Sequence, residues 1–241
     1  MGTTVSIDVR SHASAAAPVA RALAWLHEVD ATYSTYRADS VISRLRRAEL
    51  ARRDAPPQVR DVLARCELLR AATGGWFDAR VDREDLDPSA LVKGWAVQCA
   101  ADLLTAAGLT DFCLSAGGDV VARGAALPAA HWRVGVQHPC DRYAIAAVLE
   151  ARDLAVATSG AYERGAHIVD PHTGTPPHGV ASVTVVGPDL GTADAYSTAA
   201  FAMGLDGPGW TLRLDGYEAM TILEDQTVLC TPAFPTLAPA S

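Results

Sequence analysis

The sequence predicts an α+β fold with mixed or antiparallel sheets and flanking helices. Three observations lead there. Apolar residues recur at helical spacing through most of the first half of the chain. From Phe112 onward, short β-branched runs alternate with Gly, Pro and Asp turns. The two kinds of element are segregated rather than alternating as in a βαβ chain. No internal repeat or linker-like tract divides the 241 residues, so residues 1–241 are read as one domain, with a Pro-rich tail over about residues 232–241.

Taken in order, residues 3–9 alternate like an opening strand. Val19, Leu23, Leu26 and Val29 place a helix over about 15–32. Asp39-Ser40 caps a short second helix reaching Arg47. Pro56-Pro57 opens a third, with Val59, Val62, Leu63, Cys66 and Leu69 on one face, and Gly74-Gly75 ends it. Ser89 is read as the N-cap of a helix to Ala107, stopped by Gly108. Strands follow at 112–114, 120–122, 132–137, 144–150, 154–157 and 180–186. A helix over about 192–203 and a hairpin pairing 219–223 with 227–230 complete the chain.

Composition narrows the function. With 49% hydrophobic and 20% charged residues the chain can build a sizeable core. A net charge of -8 argues against nucleic acid as a partner. It also means that an anionic ligand needs a metal, a helix N-terminus or a few placed cations. Five cysteines, none in a CxxC, read as reduced core thiols of a cytoplasmic protein. No apolar run approaches the ~18 residues of a membrane span. Met1, Gly2 and Ser6 match a myristoylation pattern, but Val5-Ser6-Ile7 reads as strand.

Common catalytic signatures are missing. There is no GxGxxG, no GxxxxGK[ST], no HExxH and no paired Cys/His spacing for zinc. Ser115 and Ser159 stand beside glycines but outside GxSxG. Cys140 near His138 is the one close Cys–His pair, read as a loop-edge feature against a nucleophile.

Three segments carry chemistry. Asp194 and Thr198 lie four apart on one helix face, a reasonable half-site for a hard cation; a cap and a filler is the plainer alternative. Asp87 precedes a helix start, and Lys93 in the first turn is disfavoured by the helix dipole unless an anion sits nearby. A solvated lysine is the competing reading. His167-Ile168-Val169-Asp170-Pro171-His172-Thr173-Gly174 joins a His and an Asp to a turn, where the His is structural or catalytic.

Together these segments resemble the ApbE family, the FAD:protein FMN transferases. The likeness rests on Met1-Gly2-Thr3; Ser34-Thr35-Tyr36-Arg37 with Ser40-Val41-Ile42-Ser43-Arg44; Gly75-Trp76-Phe77-Asp78; Asp87 through Gly94; and Gly117-Gly118-Asp119. It continues through Thr158-Ser159-Gly160, His167 through Gly174, and Asp194 through Thr198, in register from Met1 to about Gly204.

The resemblance implies FAD bound in a cleft between two parts of one domain. On it, Met1 packs near the adenine or ribose, Tyr36 stacks on an aromatic ring, and Trp76, Phe77 and Asp78 line the same pocket. Asp87 and Lys93 fall on FAD-contacting positions, and Ile168 touches the flavin side. Mg²⁺ is assigned to Asp194, Thr198 and the Ala90 carbonyl. Ser197 stands where some members carry a second aspartate, which implies one charged ligand fewer.

His167 is the implied general base, with Asp170 orienting it or closing the turn. The implied reaction is protein flavinylation: Mg²⁺-dependent transfer of FMN from FAD to a Thr or Ser hydroxyl of a client flavoprotein, with release of AMP. An FAD pyrophosphatase giving FMN and AMP, and a non-catalytic FAD-binding protein, are the alternatives. A cytoplasmic location is expected, or export if a leader precedes Met1.

Overall fold

A computed structural model describes residues 3–11, 14–81, 85–160 and 168–235. Its centre is a seven-stranded antiparallel sheet in the order β1-β4-β5-β8-β9-β10-β11. The strands are β1 (Val5–Val9), β4 (Phe112–Ala116), β5 (Asp119–Arg123), β8 (Leu154–Gly160), β9 (Val180–Gly187), β10 (Glu218–Leu223) and β11 (Val228–Cys230). A separate hairpin joins β6 (Trp132–His138) to β7 (Asp141–Ala151). A two-residue pair, β2 (Arg80–Val81) and β3 (Asp85–Leu86), lies before the fourth helix. The helices are α1 (Ala16–Tyr33), α2 (Val41–Arg46), α3 (Pro57–Ala72), α4 (Ser89–Ala106), α5 (Leu190–Ala202) and a short α6 (Gly207–Thr211).

The central strands are buried on both faces, which is why they read as near-continuous apolar runs. Val121, Ala155, Ala157, Val183 and Val185 turn to the helical core, while Val120, Ala122, Val156 and Val186 turn to a second core. That second core is closed by Trp132, Val134, Val136 and Leu149 of the β6–β7 hairpin. The period of two thus assigns alternate residues to two layers. On the other side, α4 and α5 pack against the sheet and α1 packs on α4, and the predicted face of α3 is buried throughout: Val59, Val62, Leu63, Cys66 and Leu69.

Two local expectations change. Ser89 is the first helical residue of α4 rather than its cap, and the boundary residue Pro88 has no side-chain cap. The Asp87 carboxylate instead accepts from the Ser89 N–H at 2.9 Å, since proline has no such side-chain acceptor. The cysteines are free, but only Cys66 is buried; Cys140 and Cys230 are exposed. Their strand ends and turns leave no core to enter.

Candidate active site

The site is built where α4 crosses α5. A Cβ on Gly94 would lie 2.6 Å from the Leu190 carbonyl oxygen and 3.0 Å from the Asp194 Cβ. Only glycine lets the two helices approach this closely. The start of α5 is fixed by Asp189, whose carboxylate accepts from the Thr192 N–H at 2.7 Å and pairs with Arg65. The Gln98 side chain of α4 accepts from the Leu190 N–H at 3.1 Å. These contacts set the rotation of α5 and so aim Asp194.

Asp194 is buried, and its Oδ2 accepts from the Gly94 N–H at 3.2 Å. The Lys93 ammonium stands 3.7 Å from Asp194 Oδ1 and 2.8 Å from Asp119 Oδ2. Asp119 is fully buried, and its Oδ1 accepts from the Thr158 N–H at 3.3 Å. Burial pushes the Asp194 carboxyl well above the usual carboxylate range; the Lys93 ammonium pulls it down and Asp119 adds to the rise. The lysine that the dipole argument left in want of an anion therefore has two, both supplied by the protein.

Over this cluster opens a cleft of about 1300 Å³. Ala90, Lys93, Asp194 and Thr198 line its floor, with Thr158, Ser159 and Gly160 at the end of β8. Tyr36, 97% exposed, stands at one wall after α1. Trp76, Asp78 and Asp87 form another wall, and Ile168 belongs to a third, the 168–174 turn. The structure thus gathers Tyr36, Trp76, Asp78, Asp87, Ala90, Lys93, Ile168, Asp194 and Thr198 from five separate chain segments around one space. Met1 and His167 lie outside the described residues.

Two expectations are corrected. Phe77 does not line the cleft: it is 1% exposed in the helical core, its N–H donated to Thr73 Oγ1 at 3.0 Å. Trp76 and Phe77 are neighbours on the chain and their side chains diverge, one to the cleft and one to the core. Ser197 also turns away, fully buried, with its hydroxyl 2.9 Å from Ser159 Oγ and donated to the Asp194 carbonyl at 3.0 Å. An acid missing at that position is therefore not a ligand missing from the cleft.

Asp170 takes one of the two roles read for it: its hydrogen bonds close the turn. Its carboxylate accepts from the His172 N–H at 2.8 Å and from Thr173 Oγ1 at 2.9 Å, and it lies 3.2 Å from His172 Nδ1. Burial raises its carboxyl, but those hydrogen bonds outweigh it and hold the group below its ordinary value.

His172 is the cleft residue that sequence reasoning passed over. Its ring stands edge-on to Trp76, centroids 4.5 Å apart, so it ties the 168–174 turn to the loop after α3. The Asp-Pro-His spacing was the available signal, since an Asp accepting from residue i+2 is an Asx turn. Asp78 is likewise more occupied than expected. Despite partial burial its carboxyl is held below the usual range by hydrogen bonds from Arg80 and Arg70.

Among the described residues no three His, Cys, Asp or Glu side chains gather as a metal cluster. The lining instead brings the carboxylate-bearing Asp194 and the hydroxyl-bearing Thr198 together with Ala90. Two buried carboxylates lie beside the Lys93 ammonium, and oxygen donors suit a hard cation. The donors present fit such an ion.

A family model described as the ApbE family matches residues 1–84 and 80–221. The chain belongs to the ApbE family. It is 34% identical over 129 residues to a FAD:protein FMN transferase of Vibrio cholerae, covering 49% of this chain and 39% of that protein. Against the Treponema pallidum protein of the same name it is 34% identical over 200 residues, 72% of this chain and 55% of the relative. The chain thus spans about half the length of these curated relatives. The fold matches the flavin transferase ApbE from Vibrio cholerae with a TM-score of 0.82 at 24% identity, covering 97% of this chain and 95% of that one. The ApbE protein of Thermotoga maritima matches at 0.84 and 24%, covering 96% and 94%.

Proposed function

We propose that this chain transfers the FMN half of FAD to a Thr or Ser hydroxyl of a client protein and releases AMP. The observation that carries the reading is the cleft of about 1300 Å³, which joins aromatic walls to a floor of oxygen donors and the Lys93 ammonium. It exceeds the ~300–1,000 Å³ of an ordinary small-ligand pocket and is roomy enough for a dinucleotide. Membership of the family and the names of the relatives support the same chemistry.

In this reading Tyr36 and Trp76 hold the two ring systems by stacking, with His172 bracing Trp76. Lys93 offsets the charge of the pyrophosphate. Asp194, Thr198 and the Ala90 carbonyl would hold Mg²⁺, which when bound neutralises phosphate charge and eases departure of AMP. The client hydroxyl oxygen bonds to the flavin-side phosphorus as the bond to the bridging oxygen breaks. AMP leaves with that oxygen, and the hydroxyl proton passes to a base. His167 is the proposed base; Asp170 is assigned to the turn and to His172. Met1 is proposed beside the adenine end.

The test is incubation with FAD, Mg²⁺ and a client flavoprotein, followed by intact-mass measurement. A client gaining one FMN with AMP in solution supports the reading. Equimolar FMN and AMP with an unmodified client makes the protein an FAD pyrophosphatase instead.

A further inference from the structure

We infer that Asp119 sets the cation affinity of the site by drawing the Lys93 ammonium away from Asp194. The inference rests on the reading of Ala90, Asp194 and Thr198 as a cation site. Asp119 is not among the residues lining the cleft, so it touches neither ion nor substrate and acts through Lys93 and through its charge: it is a positioning residue.

The geometry is specific. Asp119 opens β5, pairs with Ala116 of β4 in the sheet register, and anchors one carboxylate oxygen on the Thr158 N–H of β8. The sheet therefore fixes it. Its other oxygen lies 2.8 Å from Lys93 Nζ, against 3.7 Å for Asp194 Oδ1. Asp194 Oδ2 meanwhile accepts from the Gly94 N–H, and Oδ1 is the oxygen nearer the ammonium. An ammonium seated on Asp194 would compete directly with a divalent ion for that carboxylate. Asp119, closer and fully buried, holds the ammonium on the sheet side and leaves the Asp194 carboxylate to the cleft.

Removing the Asp119 charge while keeping its shape should transfer the ammonium's attraction to Asp194. It also removes one negative charge from the floor. Both changes weaken a divalent ion, by about tenfold or more for charges some 4 Å apart in a partly shielded site. Removing Lys93 as well abolishes the competitor and offsets the change in charge, since one negative and one positive group have then gone.

The experiment is calorimetric titration of Mg²⁺ into FAD-free protein for four forms: unaltered, Asp119→Asn, Lys93→Met, and the double variant. The expected result is weaker binding in Asp119→Asn and recovery to near the unaltered affinity in the double variant. Equal affinity in Asp119→Asn, or a double variant as weak as Asp119→Asn alone, overturns the inference, since a purely structural loss is not repaired by deleting Lys93. Should Asp119→Asn lose its fold by circular dichroism, Lys93→Met decides: it must bind Mg²⁺ more tightly than the unaltered protein, and equal or weaker binding overturns the inference. Failure of the unaltered protein to bind Mg²⁺ at all removes the cation reading and this inference with it. Normal binding that is insensitive to Asp119 removes only the inference.

Discussion

Replacing Gly94 by alanine tests whether the close crossing of α4 and α5 builds the site. The added Cβ would sit 2.6 Å from the Leu190 carbonyl oxygen, where ordinary contacts begin near 3.4 Å, so the helices must part by roughly 0.8 Å. The clash is with backbone, which has no rotamer to yield. Overpacking of this kind costs about 1–3 kcal/mol, and a backbone clash belongs at the upper end. Alanine's better helix propensity returns up to about 1 kcal/mol. The net loss is about 2 kcal/mol, equivalent to roughly 4–8 °C in Tm for a chain of this size. The same movement stretches the 3.2 Å hydrogen bond from the Gly94 N–H to Asp194 and should weaken Mg²⁺ binding. Thermal denaturation with and without Mg²⁺ measures both effects. A Tm at or above that of the unaltered protein, with unchanged Mg²⁺ affinity, would refute the reasoning, because helix propensity would then outweigh the crossing.

Asp189→Ala should lower stability by about 1–2 kcal/mol through loss of the α5 cap, read as a fall in urea midpoint. Ser197→Ala should leave Mg²⁺ affinity unchanged in calorimetry while costing about 1 kcal/mol of stability, because its hydroxyl serves Ser159 and the Asp194 carbonyl rather than the cleft. Trp76→Ala should weaken FAD binding by roughly tenfold in fluorescence titration, with His172→Ala having a smaller effect in the same direction. Asp194→Ala should abolish Mg²⁺ binding in calorimetry and reduce FMN transfer to background.

Much of this architecture was legible because it is written in short periods. The α3 face follows from five apolar residues at helical spacing, and the doubly buried strands follow from their unbroken apolar runs. Asp194 and Thr198 share a face because four residues return a helix to within about 40° of its starting direction. Three residues fall short by about 60°, which is how Ser197 comes to face β8 instead of the cleft.

What escaped the sequence depends on distant pairing. Nothing local tells Lys93 that its partners lie at Asp119 and Asp194, in a strand and a helix far along the chain. The β2–β3 pair has two residues per strand, too few to show any alternation. That the β6–β7 hairpin leaves the main sheet and covers its second face is decided by which edges pair. The divergence of Trp76 and Phe77 is set by the loop that follows α3, whose path has no periodic signature.

Intact-mass measurement of a client flavoprotein incubated with this protein, FAD and Mg²⁺, alongside the Asp194→Ala variant, tests FMN transfer itself. The expected result is one FMN added per client acceptor, an equal amount of AMP, and neither with the variant or after chelation of Mg²⁺. FAD bound but left intact over the same period, or transfer undiminished in Asp194→Ala, would contradict it.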